Sequence, residues 1–168
     1  MHPRLMFALS IIEALAILAY AISGFIEARK RRLDPVGAFL VAFATAFGGG
    51  TVRDVLLERR PFFWVEHQGY VIVLFALSFF APFVLRMASR VFSERALLVA
   101  DAIGLGLFSI SGTSIALEAG MPWFIAAMMG VVTGVFGVII RDVLCNEVPL
   151  ILRDSRPYAT CAFAGCWL

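Results

Sequence analysis

Shifted by 88 residues, the chain matches itself without a gap. Ile22-Ser23-Gly24 falls on Ile110-Ser111-Gly112, and Arg53-Asp54-Val55-Leu56 falls on Arg141-Asp142-Val143-Leu144. Thr45 meets Thr133, Gly49 meets Gly137, Pro61 meets Pro149, Tyr70 meets Tyr158, and Glu13 meets the similar acid Asp101. Between residues 5 and 80, 18 of 76 pairs are identical. Apolar sequences match by accident often, but accident rarely sets Arg-Asp, Pro and Tyr in one register. The fold is therefore expected to be built from two copies of one unit.

Each unit is made of membrane spans. A spanning helix needs about 20 mainly apolar residues, because lipid offers no partner for an exposed backbone group. Residues 5–26, 36–52, 68–85, 96–117 and 121–140 meet this requirement, and a sixth apolar run occupies 158–168. With 61% hydrophobic and only 15% charged residues, the chain is too apolar to hide its side chains in one soluble core. That excludes a soluble enzyme, a disordered chain and a nucleic-acid binder. The predicted class is an all-α integral membrane protein. Cys145, Cys161 and Cys166 form no disulfide or metal-ligand pattern, and His2 and His67 are the only histidines, so neither a metal site nor a cofactor is expected. No catalytic constellation or nucleotide-binding loop is present.

Three spans per unit is an odd number, so the second copy must enter the membrane from the opposite side. The expected organisation is an inverted repeat, with residues 1–88 as the first unit and 89–168 as the second, incomplete one. Such repeats place a transport pathway at their interface, and glycine-interrupted spans in matching positions mark it. Here those are the second and fifth spans. Placing the N-terminus outside puts ten Lys and Arg residues in cytoplasmic segments, among them the run Arg29 to Arg32, against four outside. That ratio favours the outside placement. The run itself reads as a topology anchor or as a contact for anionic lipid headgroups.

Gly48-Gly49-Gly50 predicts a break or kink, since each glycine costs a helix about 1 kcal/mol relative to alanine. Gly134 and Gly137 repeat the signal more weakly. A kinked backbone facing water would offer carbonyl oxygens to a cation; the alternative is close packing through small residues. Thr45, Thr133, Ser23 and Ser111 are candidate further oxygens. Arg53-Asp54 and Arg141-Asp142 lie in or beside apolar spans, where an unpaired charge is costly. Adjacent residues point about 100° apart on a helix, so cross-pairing of Arg53 with Asp142 and of Arg141 with Asp54 is expected to clamp the broken helices. Snorkelling to the interface and direct ion contact are the alternatives. Glu13 and Asp101 are lone acids in apolar spans. They are candidates for cation attraction, ion coordination or proton carriage, or for hydrogen bonding to a kinked backbone.

With GGGTVRDVL in the first unit and GVFGVIIRDVL in the second, the chain resembles the bacterial TRIC (trimeric intracellular cation) channels. The same group is also labelled a glycine transporter domain family. The resemblance implies two inverted helix triplets plus a seventh helix. It also implies a homotrimer in the bacterial inner membrane with one pore per protomer, lined by the second and fifth helices kinked at their glycines. Potassium permeation is the implied activity, with membrane lipids and monovalent cations as the other partners and no nucleic acid. A secondary transporter of glycine or a similar small amino acid is the alternative. The sequence stops at Leu168, inside the expected sixth helix, and the seventh is absent from it. The span 96–117 carries no Lys or Arg, so voltage sensing through that helix is not expected.

Overall fold

The structure, a computed structural model, describes residues 3–87, 94–149, 163, 165 and 166, with backbone alone for 3–8 and 81–87. It contains α1 (Pro3–Lys30), α2 (Pro35–Leu56), a single-turn α3 (Phe63–Glu66), α4 (Gln68–Met87), α5 (Glu94–Glu118) and α6 (Trp123–Leu144). Stretches within α1, α2, α5 and α6 are long and apolar enough to cross a membrane. α4 runs for 20 residues over the third predicted span. The predicted sixth run lies almost wholly outside the described residues, as do Cys161 and Trp167.

Local chemistry sets the helix starts. Asp34 caps α2 by accepting from the Gly37 amide at 2.9 Å, and Pro35 supplies a preset φ at the first helical position. Helix ends repeat with the sequence. α1 stops in a Schellman turn in which Leu33 N–H donates to Ala28 O and Arg32 N–H to Arg29 O. α5 stops 88 residues later in the same turn, with Met121 donating to Ala116 and Gly120 to Leu117. α2 and α6 form a second matched pair, through Arg59 to Asp54 with Glu58 to Val55, and Glu147 to Asp142 with Asn146 to Val143. Among the described residues, Arg32, Gly120, Glu58 and Asn146 are left-handed, with φ of 55°, 78°, 53° and 56°.

α1 packs against α2 and α5, and α6 closes the set against α2 and α5. Equivalent helices run antiparallel. Gly49 of α2 lies against Thr133 of α6 and Gly137 against Thr45, so numbering falls along one helix as it rises along the other. Ser111 reaches Glu13 and Ser23 reaches Asp101, so α1 and α5 do the same. Small residues, among them Ala16, Ala19, Ala21 and Ala42, let the backbones approach. Ile72, Val73, Phe79 and Phe80 of α4 and Trp123, Phe124 and Ile125 of α6 point outward, as lipid-facing side chains do.

Of the expected break or kink at the glycines, the break is absent. α2 is continuous α-helix through Gly48, Gly49 and Gly50, and α6 through Gly134 and Gly137. The reason is a helix crossing. A Cβ on Gly49 would overlap the Thr133 carbonyl, and one on Gly137 the Thr45 carbonyl. Glycine is needed there for close approach, and the packing offsets its propensity cost. Thr45 and Thr133 donate back to Val41 O at 2.6 Å and Met129 O at 2.7 Å, a bond that bends helices without breaking them.

Candidate functional site

The two Arg-Asp pairs are the centres of two buried clusters. In the first, Arg53 donates from Nε and Nη2 to Oδ1 of Asp54, each at 2.9 Å, and from Nη1 to Oε1 of Glu13 at 3.2 Å. Ser111 donates to the same Glu13 oxygen at 2.9 Å, and Oδ2 of Asp54 accepts from the Phe63 amide at 3.2 Å. Asp54 thus ties the end of α2 to the start of α3.

In the second cluster, Arg141 donates to Oδ1 of Asp142 from Nε at 2.9 Å and from Nη2 at 2.7 Å. Its Nη1 meets both oxygens of Asp101, at 2.8 and 3.0 Å. Ser23 donates to Asp101 and accepts from Arg141. Every member corresponds to a member of the first cluster at the repeat distance. In each, arginine and acid come from one repeat and the serine from the other. Four polar groups in apolar spans are tolerable because each charge is paired and hydrogen-bonded.

This corrects the expected cross-pairing. Arg53 meets Asp54, not Asp142, and Arg141 meets Asp142, not Asp54. The guanidinium is long enough to fold back over the 100° between neighbours. The cross-partners lie at opposite ends of an antiparallel pair. Measured from the Gly49–Thr133 crossing, Arg53 and Asp142 stand about 20 Å apart along the axis at 1.5 Å per residue. Glu13 and Asp101, expected to act on cations or protons or to bond a kinked backbone, are the ion-pair partners of these arginines. Ser23 and Ser111 belong to the clusters as well.

Each cluster borders a cavity at its own end of the bundle. The second opens into one of about 400 Å³, lined by Glu27, Arg31, Arg141, Asp142 and Glu147 among others. The first borders one of about 50 Å³, lined by Glu13, Arg53, Asp54, Arg59 and Glu66 among others. At the wider mouth, the hydrogen bond to Glu147 holds the Arg31 guanidinium more firmly protonated than usual. Burial pushes the Cys145 thiol up, and the charge of Glu27 adds to the effect.

Between the clusters, at the level of the glycine crossing, lies Tyr20, fully buried, with its hydroxyl donating to Gly134 O. Neither motif nor charge in the sequence marks Tyr20 as a site residue. Its signal was a departure from the repeat, because its mate is Phe108, which has no hydroxyl.

The family model described as glycine transporter matches residues 10–86 and 98–168, two segments whose first residues stand at the repeat distance. The UPF0126 inner membrane protein YadS of Escherichia coli K12 is 40% identical over 154 residues, 92% of this chain and 73% of its own length. A UPF0126 membrane protein of Vibrio cholerae is 38% identical, over 94% of this chain and 65% of its own. Among solved structures, a TRIC trimeric intracellular cation channel orthologue from Rhodobacter sphaeroides superposes with a TM-score of 0.87 at 37% identity. That match covers 95% of this chain and 80% of the other.

The chain belongs to the bacterial TRIC family.

A prokaryotic TRIC channel solved in 0.5 M KCl gives a TM-score of 0.85 at 28% identity, over 94% of this chain and 80% of its own. The TRIC fold is thus shared across the described helices, and the two clusters sit on its antiparallel core.

Proposed function

We propose that the protein is a passive, potassium-permeable monovalent cation channel with one pathway per protomer. It acts as a homotrimer in the bacterial inner membrane, with its N-terminus outside and lipid around it. The observation that carries this reading is the pair of buried Arg–carboxylate–serine clusters. They lie at opposite ends of one helix interface, each beside a cavity, in a fold that solved TRIC cation channels share. A hydrated cation entering either cavity meets two fixed carboxylates whose charge one arginine offsets in part. It is attracted without being trapped, as conduction requires.

In this reading the chain is two inverted three-helix units, 1–88 and 89–168. The matched caps and antiparallel equivalents support that division. The pathway runs along α2 and α6, past Gly48, Gly49, Gly50, Thr45, Gly134, Gly137 and Thr133. Ser23 and Ser111 stand at the cluster levels, and Arg53, Asp54, Arg141 and Asp142 hold the helix ends. The activity is not enzymatic and needs no cofactor; the potassium ion is its cargo.

A second reading, a secondary transporter of glycine or a similar small amino acid, is favoured by one observation, the description of the matching family model. Reconstitution in proteoliposomes separates the two. Potassium flux without saturable glycine uptake is expected. Saturable glycine uptake with counterflow would replace the channel by the transporter.

A further inference from the structure

Tyr20 sits where the pseudo-two-fold relation of the repeats fails. Its mate in the second unit is Phe108. The two rings lie 5.2 Å apart between centroids, tilted by 47°, and both are buried. The surroundings differ in a compensating way. A Cβ on Gly104 would fall within the Tyr20 ring, and one on Gly137 would come within 3.3 Å of it. Gly104 and Gly134 correspond to Ala16 and Ala46 in the first unit. The methyl missing at Gly104 makes room for the tyrosine ring, and Gly134 O accepts its hydroxyl. A buried hydroxyl without a partner would cost about 1–3 kcal/mol, so the bond fixes the ring in this one position.

On the channel reading, an ion passing between the two cavities crosses this level. Glu13, Arg53 and Ser111 lie toward one end of the α1/α5 pair, and Asp101, Arg141 and Ser23 toward the other. Tyr20 and Phe108 fill the interface between them.

We propose that Tyr20 is the closed gate of the pathway, held shut by its hydroxyl on the Gly134 carbonyl. The proposal rests on the channel reading above. Release of that bond lets the ring leave the glycine cradle, and the two cavities become continuous. Phe108, with no hydroxyl to anchor it, is the passive wall against which the gate closes.

The test is single-channel recording and potassium flux from proteoliposomes carrying the wild type, Tyr20→Phe or Tyr20→Ala, with melting temperatures measured in parallel. Tyr20→Phe keeps the ring and removes the latch. It should raise open probability at least threefold with unitary conductance unchanged. Tyr20→Ala removes the plug and should raise flux further and admit larger organic cations. Should Tyr20→Ala fail to fold, the near-isosteric Tyr20→Phe still decides. A Tyr20→Phe protein with a lower melting temperature but the wild-type open probability would make the hydroxyl purely structural and overturn the gate. Absence of potassium flux in the wild type and in every folded variant would instead overturn the channel reading itself.

Discussion

The three adjacent glycines of α2 separate the packing account from the kink account, because their surroundings differ. Adding a methyl to a helical glycine gains about 0.8–1 kcal/mol of helix propensity. At Gly50 the nearest atom to that methyl is Arg53 Nη2 at 3.9 Å, an ordinary contact, so Gly50→Ala should stabilise the protein by about 0.5–1 kcal/mol. At Gly48 the methyl meets the flexible end of Ile140 at 2.9 Å, which can swing aside, so Gly48→Ala should be near neutral. At Gly49 it overlaps a backbone carbonyl, that of Thr133, and two helices must part to admit it. Overpacking of that kind costs about 1–3 kcal/mol, which outweighs the propensity gain. The expected order of stability is Gly50→Ala, then wild type and Gly48→Ala together, then Gly49→Ala. Thermal and denaturant unfolding in detergent micelles, followed by circular dichroism, measures it. If Gly49→Ala proved as stable as Gly50→Ala, the close crossing of α2 and α6 would be refuted and glycine's role would return to backbone flexibility.

Asp101→Ala should destabilise by about 1–3 kcal/mol, since Nη1 of Arg141 loses its carboxylate while Asp142 still pairs with the rest of the guanidinium. Glu13→Ala should cost less, because Glu13 is 12% exposed and meets Arg53 through one longer contact; equal losses in the same unfolding assay would contradict this. Arg32→Gly should stabilise by about 0.5–1 kcal/mol, as the left-handed cap that its mate Gly120 adopts freely strains an arginine. Cys145 should react with maleimide at pH 8 more slowly than a free thiol, because its raised pKa leaves less thiolate. Reaction at the free-thiol rate would contradict its burial.

Much of the fold was legible because lipid and duplication act on sequence directly. The spans followed from apolar length, and the 88-residue register placed Glu13 with Asp101 and Arg53 with Arg141 before any geometry was known. What failed were inferences that treated a helix in isolation. Gly48-Gly49-Gly50 reads as a break when only propensity is weighed, yet Thr133 on another helix decides the matter. The 100° rule for neighbours ignored the reach of arginine, so Arg53 and Arg141 received the wrong partners. The roles of Ser23 and Ser111 needed the contact between repeats. Tyr20 carries no signal in the matches between repeats, because its distinction is a mismatch with Phe108.

The matched Schellman turns after α1 and α5 have a consequence for how the chain is made. They share one backbone shape, but the antiparallel relation of their helices puts them at opposite ends of the bundle. One carries Arg29, Lys30, Arg31 and Arg32; at the same places the other has Leu117, Glu118, Ala119 and Gly120. Two such similar segments with the same charge would give the insertion machinery the same orienting instruction at both ends. Positive charge in one turn and not in the other, on one backbone shape, gives the insertion machinery a means to tell the two ends of the bundle apart.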